Sequence, residues 1–425
     1  MSIGEKMKKK ILTLSDHPLS PSGVGTQSRY VIEALLKTGN YQVVSLAGAI
    51  QHANYQPVKT SEFGDDWVIH PVDGYGTKDL VRSIVRTEKI DMIWIMTDPR
   101  FWGWLWEMDD EIRAVCPIVY YHVWDNYPYP TYNRRHYLSN DAVATISKVT
   151  DDIVKTVAPE VDRKYIPHAV QSEIFKPTTD DANLAYRKEC LSNVNGEDKF
   201  VFFWNNRNAR RKQSGSLLFW YNDLLDKIGK DKTILIMHTD TKDVHGQDLQ
   251  HIIENLNLTS GEVLFSKDKI PAEGLAKLYN MADCTINVSD AEGFGLATLE
   301  SLSCGTPIIA TMTGGLQEQV TDGENFFGIG LEPSSKAIIG SQEIPWIYED
   351  RLNGDQVIAA MQTMVEMPKE ERSELGRLGR EHVLNNYNFE TFESNWVDFI
   401  ADTMAKNGSW SDRKNYKSWT LKEIT

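Results

Sequence analysis

The stretch that most constrains the fold is Cys284–Val320, CTINVSDAEGFGLATLESLSCGTPIIATMTGGLQEQV. Cys284 to Val288 is a short apolar run that predicts a buried strand. A turn follows, carrying Glu292, Gly293 and Gly295, and then a helix-period segment from Leu296 to Cys304. Gly305-Thr306-Pro307 stops that helix, and Ile308 to Ala310 predicts the next strand. Strand, glycine loop, helix and strand make a parallel β/α crossover. The first N–H groups of such a helix have no intrahelical partner, so the loop before it is a natural seat for phosphate. Glu292 in the loop and Glu300 two turns along the helix add two acids beside that seat, a set that suits a nucleotide carrying a sugar.

A chain of 425 residues is too long for one ordinary core, so two domains are expected, with room for a third. Hydrophobic content of 41% and charged content of 25% are those of a globular protein. The net charge of −15 argues against an extended nucleic-acid surface, which needs a basic face. No apolar run approaches the roughly 18 residues of a membrane span. The short apolar run behind Lys8-Lys9-Lys10 predicts a first strand, not a signal peptide. A cytoplasmic chain is expected, and the three lysines leave only a weak case for peripheral contact with anionic lipid. Cys116, Cys190, Cys284 and Cys304 lack metal-ligand spacing and are expected as reduced core thiols.

In the first half, a strand over Lys10–Ser15 leads into a loop with Gly23 and Gly25, then a helix from about Gln27 to Thr38. Ser28 stands where a dinucleotide fingerprint needs its third glycine, and no acid follows the second strand, which disfavours a nicotinamide or flavin site. The same glycines also suit a tight turn with no ligand. Strand and helix patterns then alternate to Ile166, predicting a doubly wound parallel sheet whose ligands bind at strand carboxyl ends. His122 sits at one such end. Around it lie two aromatic stretches, Phe101 to Trp106 and Tyr120 to Tyr132. Trp102, Trp124, Asp125 and Asn126 are candidates for an acceptor platform, against the alternative that the tryptophans only pack a helix on the sheet.

A linker is expected near Phe175–Pro177, and a second sheet starts at Phe200–Trp204. After that strand, Arg207, Arg210, Arg211 and Lys212 put four cations within six positions. Such a cluster either makes a solvated turn or stabilises a diphosphate and its departure. The glycines Gly314-Gly315 and a helix starting at Leu316 predict a second helix N-terminus beside the first. Phe389 to Ala405 predicts an amphipathic terminal helix, followed by a polar tail with Trp410 and Trp419.

Glu292-Gly293-Phe294-Gly295-Leu296, the seven residues between Glu292 and Glu300, Cys304-Gly305-Thr306-Pro307 and Gly314-Gly315 closely resemble the retaining glycosyltransferases of family four. Gly23-Val24-Gly25, Ala144-Thr145-Ile146-Ser147, Ile166-Pro167-His168-Ala169-Val170 and the Arg207/Lys212 spacing extend the resemblance over most of the chain. It implies an α/β GT-B fold, with two Rossmann-like doubly wound parallel-sheet domains facing across a cleft. The implied division is an acceptor domain over 1–175, a donor domain over 176–388, and a helix and tail over 389–425 packing back on the first. It further implies metal-independent transfer with retention, with no cofactor beyond a nucleoside-diphosphate sugar, UDP- or GDP-linked. By the same resemblance Glu300 holds the ribose and Glu292 touches the donor sugar. Arg207, Lys212 and the backbone of Gly295, Leu296 and Ala297 hold the diphosphate, and Gly293 and Phe294 also bind the donor. Gly23 and Gly25 approach from the other domain, and His122 lies near the reacting sugar. Asn205-Asn206 and Gln213-Ser214 depart from the family's loop pattern. A sugar-nucleotide epimerase or hydrolase and a non-catalytic nucleotide-sugar scaffold are the competing readings, and the acceptor is open.

Overall fold

The computed structural model describes residues 7–418; Trp419 lies outside them. The chain divides into two compact units. Among the described residues, one comprises 7–168, 340–345 and 390–418, and the other 169–339 and 346–389.

The first unit holds strands β1 (Lys9–Asp16), β2 (Tyr41–Gly48), β3 (Val58–Lys59), β4 (Trp67–Pro71), β5 (Met92–Met96), β6 (Ile118–His122), β7 (Ala142–Thr145) and β8 (Asp162–Tyr165). Their order across the sheet is β3-β4-β2-β1-β5-β6-β7-β8, and only β3 runs antiparallel to its neighbour. The chain winds outward from β1 to β2 and β4, then returns to β5 on the other side of β1. That reversal opens a crevice at the carboxyl ends of β1 and β5, where open sheets of this kind bind ligands. The sheet buries a dense aromatic layer. Trp396, from the terminal helix Phe389–Asn407, lies edge-on to Trp94 and to Tyr121, with ring centroids 5.8 and 4.7 Å apart. The tail is held on the same unit by Trp410, whose backbone N–H donates to Val115 and whose indole donates to Ile90.

The first helix starts earlier than its apolar pattern predicts, at Gly23 instead of near Gln27. Ser22 caps it by accepting from the Gly25 N–H at 2.9 Å. Gly23 and Gly25 therefore sit in the first helical turn. A Cβ on Gly25 would lie 2.6 Å from the His17 carbonyl oxygen and from the Ser20 hydroxyl, so glycine lets the loop 17–22 fold down on the helix.

The second unit holds β9 (Phe200–Asn205), β10 (Thr233–His238), β11 (Val263–Ser266), β12 (Cys284–Asn287), β13 (Ile308–Thr311) and β14 (Gly328–Leu331), all parallel in the order β11-β10-β9-β12-β13-β14. The reversal here lies between β9 and β12. Its core joins the inward faces of β9, β10 and β12 to Leu217, Leu218, Tyr221 and Leu224 of the helix Ser214–Ile228, and to Val357 and Met361 of the helix Gly354–Glu366. A feature absent from the sequence reading is the antiparallel hairpin β15 (Ser335–Ile339) and β16 (Ile347–Arg351). The polar stretch after Thr178 also gains order as a helix, Asp180–Leu191, capped by Thr179. Cys116, Cys284 and Cys304 are buried free thiols, and Cys190 is exposed.

Candidate functional site

The Cys284–Val320 unit folds as its pattern predicts: β12, a loop, the helix Leu296–Ser303, and β13. Gly295 is the N-cap residue at φ +92°, a left-handed conformation that glycine takes without strain. Among the described residues no side chain caps that helix. At the opposite end, Arg380 donates to the carbonyls of Ser303, Phe175 and Ser172. Phe294 is turned inward, 3% exposed and edge-on to Tyr387, so it anchors the loop.

The expected second anion seat at Leu316 is not built. The helix there, Gln317–Val320, is a single turn, and the Gly315 N–H is already taken by the Glu292 carbonyl at 3.0 Å. Gly315 serves packing. A Cβ on it would fall 2.6 Å from the Gly293 carbonyl oxygen and 2.7 Å from the Phe294 Cα.

The basic loop lies after β9, on the other side of the sheet reversal from the Glu292 loop. Lys212 is buried and its ammonium sits on the Glu292 carboxylate. Arg211 joins the two loops, its guanidinium donating to Ala291 at 2.6 Å and its carbonyl accepting from Asp290 at 2.8 Å. Its guanidinium also lies 3.9 Å from Glu292. Arg207 points elsewhere, in a two-pronged bond to Asp243 at 2.6 and 3.1 Å, and its side chain is 61% exposed. Arg210 makes a two-pronged bond to Glu349 of β16. The four cations thus do not form one open positive patch; each faces an acid.

Glu300 accepts from the Tyr279 hydroxyl at 2.8 Å, and that hydroxyl accepts from Asn205 at the end of β9, also at 2.8 Å. Burial raises the Glu300 carboxyl to about 7 against the opposing pull of the Tyr279 bond. Burial likewise raises Asp290 to about 6, with Gln213 and Arg351 pulling it down. Tyr279 carries no sequence signal, being a lone Tyr with no motif around it, and Asn205 reads in sequence only as a departure from the family's loop pattern. The Ser22 cap, by contrast, is a readable one.

In the first unit, Asp16 ends β1 at the sheet reversal and accepts from Ser22 at 2.8 Å and from Tyr75 at 2.9 Å. Neither Asp16 nor Tyr75 was singled out from sequence. The aromatic platform needs correction. Trp102 is fully buried, its ring 4.9 Å from that of Tyr75, and Trp124 is 5% exposed with its indole donating to the Asn126 carbonyl. Asp125 and Asn126 stay half-exposed. His122 is fully buried, with Nε2 2.9 Å from the Tyr137 hydroxyl. Burial pushes its ring down to about 3, so it is neutral, and no face of it is open to a ligand. Its position at the carboxyl end of the interior strand β6, packed against the rings of Tyr120 and Tyr137, is the physical reason.

Residues 195–374 match the family model for glycosyl transferases group 1. The matched span contains the basic loop, the Glu292 loop and the Glu300 helix. Among curated relatives, the D-inositol 3-phosphate glycosyltransferase of Paenarthrobacter aurescens is 28% identical over 186 residues, 43% of this chain and 43% of that one. The alpha-monoglucosyldiacylglycerol synthase of Streptococcus pneumoniae is 29% identical over 171 residues, 40% of this chain and 37% of that one. The chain spans under half the length of these curated relatives. Among solved structures, sucrose-phosphate synthase from Thermosynechococcus elongatus has a TM-score of 0.73 at 17% identity, over 94% of this chain and 100% of that one. Anabaena HepE in complex with UDP and glucose has a TM-score of 0.66 at 16% identity, over 94% and 100%. The fold is that of the GT-B glycosyltransferases. No helix among the described residues is long and apolar enough to cross a membrane.

Proposed function

We propose that the chain is a retaining glycosyltransferase that moves a hexose-type sugar from a UDP- or GDP-linked donor to an acceptor hydroxyl, without a metal ion. The observation that carries this reading is that two contacts bridge the β9/β12 reversal, the Lys212–Glu292 pair and the Asn205–Tyr279–Glu300 hydrogen-bond chain. On this reading Lys212 is a cation for the diphosphate, Glu292, in the loop before the helix Leu296–Ser303, an acid for sugar hydroxyls, and Glu300, on that helix, an acid for ribose hydroxyls; among the described residues no side chain caps the helix. Similarity to a structure holding UDP and glucose agrees with a nucleotide-sugar donor.

The mechanism is front-face displacement. The bond from the anomeric carbon to the diphosphate oxygen breaks while the bond to the acceptor oxygen forms on the same face. The acceptor proton passes to the departing phosphate oxygen, and the nucleoside diphosphate leaves. Lys212 and Arg211, with the N–H groups of Leu296 and Ala297, stabilise the charge that grows on the leaving group. Glu292 orients the sugar and Glu300 the ribose. Asp16, Ser22 and Tyr75 form the polar edge offered to the acceptor in the first unit, with Asp125 and Asn126 on a neighbouring loop. Cytoplasmic residence, with or without peripheral membrane contact through Lys8–Lys10, completes this reading.

The test is a donor screen with UDP-, GDP- and ADP-sugars against a panel of hydroxyl acceptors, with product stereochemistry read by NMR. Retention supports the reading, and an inverted product overturns it. An epimerised sugar formed without acceptor identifies an epimerase. Donor binding with no turnover on any acceptor identifies a scaffold.

A further inference from the structure

The hairpin β15–β16 interrupts the run from β14 to the helix Gly354–Glu366, yet it carries the most buried acid near the site. Glu349 is 2% exposed. It takes both prongs of Arg210 and accepts from Arg351 at 2.8 Å. Arg351 in turn forms an ion pair with Asp290 at 2.7 Å, and Asp290 accepts from Gln213 at 2.7 Å. The Asp350 N–H closes the set on the Asp290 carbonyl at 2.9 Å. The hairpin therefore grips two loops at once, the basic loop through Arg210 and the acid loop through Asp290.

The two gripped residues have equivalent places. Arg210 stands two residues before Lys212, and Asp290 two residues before Glu292. Buried carboxylates are costly unless paired, and one buried partner left alone is strongly destabilising. Two acids and two arginines paired across three chain segments make a geometric device. Resting on the glycosyltransferase reading above, we infer that Glu349 and Arg351 are positioning residues: they set the spacing of the two loops so that Lys212 and Glu292 meet the donor in register.

The experiment measures the affinity of the whole chain for UDP, GDP and ADP by calorimetry, with thermal midpoints recorded alongside. Glu349→Gln keeps the shape of the side chain and removes its charge. Arg351→Met keeps the length and removes the forks. Each is expected to weaken the diphosphate that binds wild type by about tenfold, the scale of a lost charged hydrogen bond. Because the effect acts through Lys212, Glu349→Gln in a Lys212→Ala background should add less than about twofold. A general loosening of the fold would lower affinity equally in both backgrounds and overturn the inference. Arg377→Ala, an exposed ion pair on the helix Lys369–Asn386, serves as the remote control and should bind as wild type does. Wild-type affinity in folded Glu349→Gln and Arg351→Met overturns the positioning role alone. Binding of none of the three diphosphates by wild type overturns the nucleotide-sugar reading together with it.

Discussion

Lys212 and Glu292 hold each other across the β9/β12 reversal, their side chains 8% and 14% exposed. The cation expected to meet a diphosphate is thus already matched by the acid expected to meet the sugar. An incoming donor has to draw the ammonium away from the carboxylate, and the carboxylate is then free for sugar hydroxyls.

Glu292→Gln separates those two roles. Without the competing charge, free nucleoside diphosphate should bind several-fold tighter, while transfer falls by at least about tenfold because the sugar loses its orienting acid. Calorimetry with the diphosphate and steady-state turnover with the full donor read the two effects independently. Weaker binding of the diphosphate would contradict this account.

Glu300 makes donor affinity depend on pH. Burial raises its carboxyl to about 7, and on the proposed reading ribose hydroxyls would donate to the ionised form. Binding therefore releases a proton at pH values below that point, and affinity should rise from pH 5 to pH 8. Calorimetry in buffers of different ionisation enthalpy measures the released proton. Glu300→Gln should bind weakly at every pH and release none from this group.

Two buried histidines contribute to the loss of stability in acid. Burial lowers both His122 and His168 to about 3, against 6.5 in the unfolded chain. Between those values the unfolded chain binds more protons, so stability rises with pH and is lost as pH falls from about 6.5 toward 3. Replacing either by Gln should flatten that part of the stability–pH curve, measured by urea unfolding at pH 7, 6, 5 and 4.

Gly25→Ala tests packing in the first helical turn. The new Cβ meets a backbone carbonyl and a short serine side chain, neither of which can swing far, so the loop 17–22 has to lift. The expected loss is about 1–3 kcal/mol of stability, read as a lower thermal midpoint. Gly103→Ala, where a Cβ meets nothing within 4 Å, should stay near wild type.

The parts of the site that were legible in sequence are those built from contiguous residues. Glu292, Gly295 and Glu300 lie on one loop–helix unit, and periodicity with a glycine stop is enough to place them. Lys212 was visible as charge after a strand. What charge alone did not show is that Arg207 and Arg210 are drawn off by Asp243 and Glu349, the latter 139 residues away. Short polar strands around exposed turn residues give no clear period, so the hairpin that supplies Glu349 escaped notice. The tryptophan run shows a similar limit: an aromatic side chain reads the same whether it stacks a ligand or, like Trp102, fills a core. The helix at Gly23 failed differently, because two glycines argue for a loop until the Ser22 cap is weighed with them.

Arg380 gives the Leu296–Ser303 helix an electrical asymmetry. A helix dipole has two ends, and a charge answered at one end lessens what the other must do alone. Here the negative end is answered by a guanidinium that belongs to the protein, whereas among the described residues no side chain caps the positive end. A transient anion at that end completes a circuit whose other terminal is already wired, so its arrival and departure leave the far end of the helix undisturbed.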